Sequence, residues 1–292
     1  MNNKIISATL CALIFSLPFC KGQDIKRIFR EGNKKKYQLV LEEWHNGKQD
    51  IWTRAVCELN TINDSGSYYE LVKWISMVQA KGKDSIVGDT IAAKVKPYRI
   101  ALDSSGKLEI PKIDVPAMTQ PIQDFTTFFV AISTQLGIAH LKHVGDVYEI
   151  PSTIKGDLAS GNFILEGEDC FRVKLKYQSK KRKEVTIVTS FEPPKDSCLT
   201  YLLPEMNIPV SETVRNNIQM IMPSNDKFNI QYGLEEFTIE SHISRRTGTL
   251  LHATMSNSII LKMKINCNAN YQDCSFEMPF RIVRKLKLEK FH

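Results

Sequence analysis

The chain lacks every short motif that would announce a catalytic or metal centre. It contains no Gly-x-Ser-x-Gly, no His-Glu-x-x-His and no phosphate-binding glycine loop. It contains no Cys-x-x-Cys, so a clustered thiolate metal site is not expected. Beyond its first twenty residues it has no apolar run of membrane-spanning length, so no transmembrane helix is expected in the mature chain. No fixed-period repeat is present. These absences point away from an enzyme, and no cofactor and no metal are expected.

What the chain does have is an ordinary globular composition, 42% hydrophobic and 24% charged over 292 residues. It opens with Lys4, an apolar run from Ile5 to Phe19, and Cys20-Lys21-Gly22, the layout of a secretory signal peptide. Cleavage after Gly22 is the expected processing. A lipoprotein signal is disfavoured because the bulky Phe19 precedes Cys20. The expected location is therefore periplasmic or extracellular. Removing Lys4 and Lys21 with the leader takes the formal charge from +7 to +5. The basic residues cluster at Lys34–Lys36, at Lys180–Lys183 and in the tail from Arg281 to Lys290. These read as solvated turns and edge-strand lysines that discourage sheet-to-sheet aggregation. Export argues against a nucleic-acid partner.

Five cysteines remain after the leader: Cys57, Cys170, Cys198, Cys267 and Cys274. In an oxidising compartment an odd count predicts pairs and one spare. Cys267 and Cys274 flank a short polar loop between two strand-like runs and are expected to bridge. Cys170, on the polar side of an alternating strand, is expected to pair with Cys198. Cys57 shares an apolar face with Ala55 and Leu59 and is expected to be a buried free thiol.

The body of the chain is a series of alternating runs broken by Gly, Asn and Asp. Tyr37 to Trp44, a turn containing Asn46-Gly47, and Gln49 to Asn60 form the clearest hairpin. Tyr68 to Ala80 is apolar on both faces and reads as a central strand. A helix is expected over 120–136, with Pro121 and Asp124 near its start, Ile122, Phe125, Phe129, Ile132 and Leu136 along one stripe, and Gly137 as its stop. Phe171 to Tyr177 and Val185 to Phe191 form a second hairpin around Lys180–Lys183. A shorter helix is expected over 211–222, ended by Pro223. A meander follows: Leu234 to Ser244, a turn at Arg245–Gly248, Thr249 to Met255, Ser258 to Asn266, and Phe276 to Leu288. The expected fold is mainly β (α+β): antiparallel curved sheets in two β-rich lobes, with two helices packed on them. The division is 1–22 signal peptide, 23–137 N-terminal lobe ending in a helix, and 138–292 C-terminal lobe.

The helix followed by Ile132-Ser133, then Val144-Gly145-Asp146 with Tyr148, a charged hairpin, and the Arg245–Gly248 turn returning into Leu250-Leu251 resembles uncharacterised exported β-rich proteins of Bacteroidetes-like bacteria. Those proteins resemble in turn the curved-sheet fold of periplasmic lipoprotein carriers. The resemblance spans about residues 98 to 265. It implies a fold, and no catalytic residue is carried over with it.

Four sets of residues invite a chemical reading. His140 and His143 with Asp146 have too short a segment between Gly137 and Gly145 for a helix to converge them. Ser152-Thr153-Ile154-Lys155 has Ser-x-x-Lys spacing, but Pro151 and Gly156 place it in a loop without partner motifs. The acidic pairs Glu42-Glu43 and Glu235-Glu236, like Glu168-Asp169, read as solvated edges, because neighbours on a strand face opposite sides and make no dyad. Phe125, Phe128, Phe129, Trp52 and Trp74 could line a site for a lipid or other apolar ligand, or could be core. The favoured expectation is thus an exported non-catalytic binding protein of the cell envelope. The alternative is an interaction or scaffold module whose basic hairpins meet an acidic partner.

Overall fold

The structure, a computed structural model, describes residues 25, 27–82, 84–100, 113–133, 137–149, 163–165, 172–192, 218–224, 226–269 and 273–291. In chain order the elements are β1 (Lys34–His45), β2 (Lys48–Asp64), β3 (Ser67–Lys81), β4 (Asp84–Val87), α1 (Asp89–Ala92), β5 (Tyr98–Ile100), α2 (Thr119–Val130) and β6 (Val147–Glu149). They continue with β7 (Phe163–Leu165), β8 (Arg172–Lys180), β9 (Glu184–Glu192), β10 (Ile218–Ser224), β11 (Lys227–Ser244), β12 (Leu250–Cys267) and β13 (Phe276–Phe291). The signal segment, Cys170, Cys198 and the Ser152–Lys155 stretch lie outside the described residues.

The strands form one curved antiparallel sheet. Its main path is β4-β3-β2-β1-β13-β12-β11-β9-β8-β6, with β5 beside β3 and β10 between β11 and β7. Strands from both expected lobes therefore share a sheet: β1 pairs with β13 from Lys36↔Phe291 to His45↔Ile282. The β1–β2 turn forms where expected, with Asn46 at φ 49° and Gly47 at φ 83°. Those positive angles are why Asn-Gly, and not a bulkier pair, makes this tight turn.

Alternation decides the core. On β1, Tyr37, Leu39 and Leu41 point to one face and are buried. They meet Cys57, Ala55 and Thr53 of β2 on one side and Leu288 and Leu286 of β13 on the other. The same face continues through Ala253 and Met255 of β12, Ile239 and Ile243 of β11, Ile187 of β9 and Leu175 of β8. Helix α2 covers it. Phe125 packs edge-on to Tyr37 and Trp74, and Phe129 edge-on to Tyr37, with ring centroids 5.6–6.1 Å apart. Tyr37 also donates its hydroxyl to the carbonyl of Leu250 at 2.7 Å. The Thr189 hydroxyl of β9 bonds the Ala131 carbonyl just past the helix, so α2 is tied to both halves of the sheet.

Several expectations change. Helix α2 ends at Val130, and Gly137 serves a later turn: its φ is +87°, and a Cβ there would lie 2.2 Å from the Tyr148 ring. Starting at Thr119 places Asp124 in the second turn, where Arg284 holds it. The second helix among the described residues is the short α1, and 218–222 belongs to strand β10. Ile218, Met220 and Met222 alternate at strand period, and that period prevails over the helical spacing of Ile218 and Ile221; residues 211–217 of the expected helix lie outside the described residues. β3 lies near one edge, flanked by the short β4 and β5, and its Ile75 is 41% exposed. Thr249 to Asn266 is one unbroken strand from Leu250, because Ser256 and Asn257 pair within the ladder.

Candidate functional site

The five aromatic residues proposed as ligand-lining are not brought together. Phe125, Phe128, Phe129 and Trp74 are fully buried in the core under α2. Trp52 is half-buried on the opposite face of the sheet, out of phase with its buried neighbour Thr53. Cys57 is a buried free thiol, and burial pushes its pKa well up, so it is an inert packing residue. Cys267 and Cys274 are bridged. Asp146 acts in a turn, accepting the backbone N–H groups of Lys142 and His143 at 2.8 and 2.7 Å, while His140 stacks on Tyr148.

The chemistry lies at the end of the inner face, just past the apolar core. Following Tyr37, Leu39 and Leu41, the next inward residue of β1 is Glu43, only 7% exposed. Directly opposite, on β13, stands Arg284, in phase with Leu286 and Leu288. Opposite Arg284 on β12 is Asn257, and opposite that on β11 is Phe237, two residues from Glu235. From above, α2 lowers Asp124. Arg284 Nη2 donates to Asp124 Oδ2 at 2.5 Å, and its Nε lies 3.3 Å from Glu43 Oε2. Gln120 Nε2 donates to Glu43 Oε2 at 3.0 Å, and Asn257 Nδ2 to Glu235 Oε1 at 2.7 Å. His45 closes the rim, 2.6 Å from Glu43 and 3.1 Å from Asp50.

One guanidinium thus serves three carboxylates. Burial pushes the Asp124 carboxyl above its ordinary value, against the pull of Arg284, and Glu43 adds to the rise. Burial likewise raises Glu235, opposed by its Asn257 hydrogen bond. The arrangement is an anionic, hydrogen-bonding patch in a poorly solvated place. It opens into a cleft of about 510 Å³, whose walls are Glu43, Gln79, Gln120, Asp124 and Arg284 on the polar side and Pro116, Ala117, Ile259 and Ile282 on the apolar side. That volume and mixture fall in the range of small-molecule sites.

The acidic pairs Glu42-Glu43 and Glu235-Glu236 are not the solvated edges expected of them. Neighbours do face opposite sides, as expected, but the inward members, Glu43 and Glu235, belong to one charge cluster. Arg284, expected in a solvated basic tail, is the cation between them. A signal was present: each of these polar residues falls in phase with its strand's apolar face.

A second buried cluster sits at the opposite end of β1. Glu70 of β3 is fully buried and held by Arg27 and by Lys35, with the Thr61 hydroxyl at 3.3 Å. Despite its burial, which acts to raise it, the Arg27 and Lys35 charges lower the Glu70 pKa overall.

No protein-family model and no curated protein matches the sequence. The resemblance to exported Bacteroidetes-like proteins thus rests on its turn motifs alone. Among solved structures the chain overlaps one described as lipid–protein interactions in lipovitellin, at 10% identity and a TM-score of 0.46, over 91% of this chain. The chain spans about a quarter (26%) of that one. It also overlaps a mutant Rh. blastica porin (8% identity, 89% of this chain and 99% of that, TM-score 0.16). A third overlap is with OmpT, an outer membrane protein of Vibrio cholerae (9% identity, 90% of this chain and 100% of that, TM-score 0.18). At these identities and TM-scores neither fold nor function passes from those structures to this chain.

Proposed function

We propose that this is an exported binding protein that holds an amphipathic small molecule without transforming it. The observation that carries the reading is the cleft: a polar end built from Glu43, Asp124 and Arg284, continuous with an apolar wall of Ile259, Ile282, Pro116 and Ala117. The carboxylates are engaged by Arg284, Gln120 and Asn257, which suits recognition better than proton transfer. The Cys267–Cys274 bridge supports an oxidising compartment.

Charge selects the ligand. With carboxylates outnumbering the single Arg284, a fatty acid's head would meet net repulsion, whereas an ammonium or hydroxyl head would find acceptors. The ligand is therefore an amphiphile with a cationic or hydrogen-bond-donating head and an aliphatic tail. Calorimetric titration with dodecylamine, dodecanoate and butylamine tests this. Dodecylamine should saturate at one equivalent, with the other two weaker. Glu43→Gln should weaken it roughly tenfold or more, the loss of one charge-assisted contact. No saturable binding of any probe, or preference for dodecanoate, would sink the reading.

A further inference from the structure

The outer face of the sheet carries a cluster that the cleft does not use. His242 of β11 and His252 of β12 are directly opposed in the ladder, their rings stacked 4.0 Å apart with 19° between planes. Thr186 of β9 stands opposite His242 on the other side, and Glu289 of β13 stands opposite His252. Glu184, two residues along β9, places Oε1 3.5 Å from His242 Nδ1. One donor atom from each of Glu184, His242 and His252 lies within 4.8 Å of the other two, and all three side chains are half-buried.

The ring orientation of His242 is decided by its other nitrogen. Nε2 lies 2.8 Å from Glu240 Oε1. An ionised carboxylate only accepts, so Glu240 holds an Nε2–H, while Nδ1 faces the Glu184 carboxylate at 3.5 Å and the Thr186 hydroxyl at 3.4 Å and is the nitrogen that would bind a metal in place of a proton. A carboxylate holding the far nitrogen of a histidine is the usual support of a metal-binding imidazole.

We propose that Glu184, His242 and His252 form a transition-metal site of the zinc class, with Glu240 as the positioning residue. Two imidazole nitrogens and one carboxylate oxygen suit Zn²⁺, and Cu²⁺ by its higher intrinsic affinity. Mg²⁺ and Ca²⁺ prefer oxygen alone. Tetrahedral Zn²⁺ with bonds of about 2.0–2.2 Å needs donors roughly 3.3 Å apart, so metal binding would draw the three side chains together by rotation. Lys181, 3.2 Å from Glu184 Oε1, is the exposed cation that a metal would displace.

The pair is invisible to motif searches because its members are ten residues apart on two strands. Only the Arg245–Gly248 turn folds them opposite one another.

The test is titration of the metal-stripped full chain with Zn²⁺ against a chromophoric chelator. One equivalent should bind, and millimolar Mg²⁺ should not compete. His252→Gln and Glu184→Gln should each weaken binding strongly. Glu240→Ala should weaken it by roughly ten- to a hundredfold and remove the acceptor that holds the Nε2–H of His242, read from imidazole ¹⁵N shifts. His140→Gln, at a remote exposed histidine, should change nothing. Thermal unfolding of the metal-free variants verifies that they are folded, and the two ligand variants serve as checks on each other. Absence of stoichiometric Zn²⁺ binding, competition by Mg²⁺, or binding that survives both ligand substitutions would overturn the proposal.

Discussion

The inner face of β1 reads Lys35, Tyr37, Leu39, Leu41, Glu43: an apolar centre with a buried charge at each end. The two ends, about 27 Å apart at strand rise, are built oppositely. At the Lys35 end, two cations, Arg27 and Lys35, close on one carboxylate, Glu70. At the Glu43 end, one cation, Arg284, is divided among Glu43, Asp124 and Glu235. The pKa directions follow the counts. Glu70 is lowered because its partners outweigh burial, whereas Asp124 and Glu235 are raised because burial outweighs their share of one guanidinium. The first cluster is enclosed, with its one carboxylate held by two cations, and it pins the segment before β1 onto β3. The second has one cation among three carboxylates and opens on a cleft. Buried charge is thus no single kind of feature: the ratio of partners separates a clamp from a recognition site.

The sharpest way to break this comparison is Glu70→Gln. It strands Arg27 and Lys35 without a counter-ion. Lys35 can escape by losing a proton, since its pKa is already lowered by burial, but a guanidinium cannot. The expected loss is about 3–5 kcal/mol in urea unfolding at pH 7, the usual consequence of removing one partner from a buried ion pair. The pH profile carries the sign. Because the folded pKa of Glu70 is depressed, its contribution is present above the unfolded value of about 4.3 and is lost as pH falls through the lower folded value. The variant should lack that part of the acid loss. A variant as stable as wild type would remove the clamp from the comparison.

Arg284→Met should cost less, about 1–3 kcal/mol at pH 7, the range for polar groups left unpaired in a buried place. Asp124 and Glu235, already raised by burial, can each take up a proton, and the cleft gives Asp124 access to solvent. The deficit should therefore shrink as the pH is lowered from 7 to 5, followed by urea unfolding at both values. A deficit larger than that of Glu70→Gln, or one indifferent to pH, would show that the two clusters are the same kind of clamp.

Much of the fold was legible because its signals are local. Asn46-Gly47 dictates a hairpin wherever it sits between alternating runs, and the Lys180–Lys183 turn behaves likewise. The Phe125–Phe129 stripe marks a helix that buries its aromatic side, and the Cys267–Cys274 spacing marks a closed loop. The site was half legible. Period-two phase puts Glu43 with Leu41, Arg284 with Leu286, Asn257 with Met255 and Glu235 with Phe237, so each polar residue could be assigned to a buried face from its own strand. What phase cannot supply is the order β1-β13-β12-β11, which joins strands from opposite ends of the chain. The 218–222 part of the expected second helix was misread because short apolar runs satisfy both periods, and pairing with β11 and β7 decides between them only in the folded sheet.

The finest distinction between the clusters is Asp124→Asn. At the Glu70 end, a neutral isostere in place of the carboxylate is costly, because two cations lose their counter-ion. At the open end it should be nearly free, within about 1 kcal/mol at pH 7, because the amide oxygen still accepts from Arg284 and a charge that burial disfavours is gone. The pH dependence again carries the sign, now reversed. With its folded pKa raised, protonated Asp124 contributes stability that is fully present below the unfolded value of about 3.9 and is lost as pH rises through the higher folded value. Asparagine does not titrate, so wild type should lose ground to the variant as pH climbs from the acid range toward neutrality. Glu235 is raised too but is common to both proteins, so the difference between their unfolding curves isolates Asp124. If the variant instead falls further behind wild type as pH rises, Asp124 is a charge-paired anion like Glu70, and the carboxylate excess assigned to the cleft is neutralised by Arg284 after all.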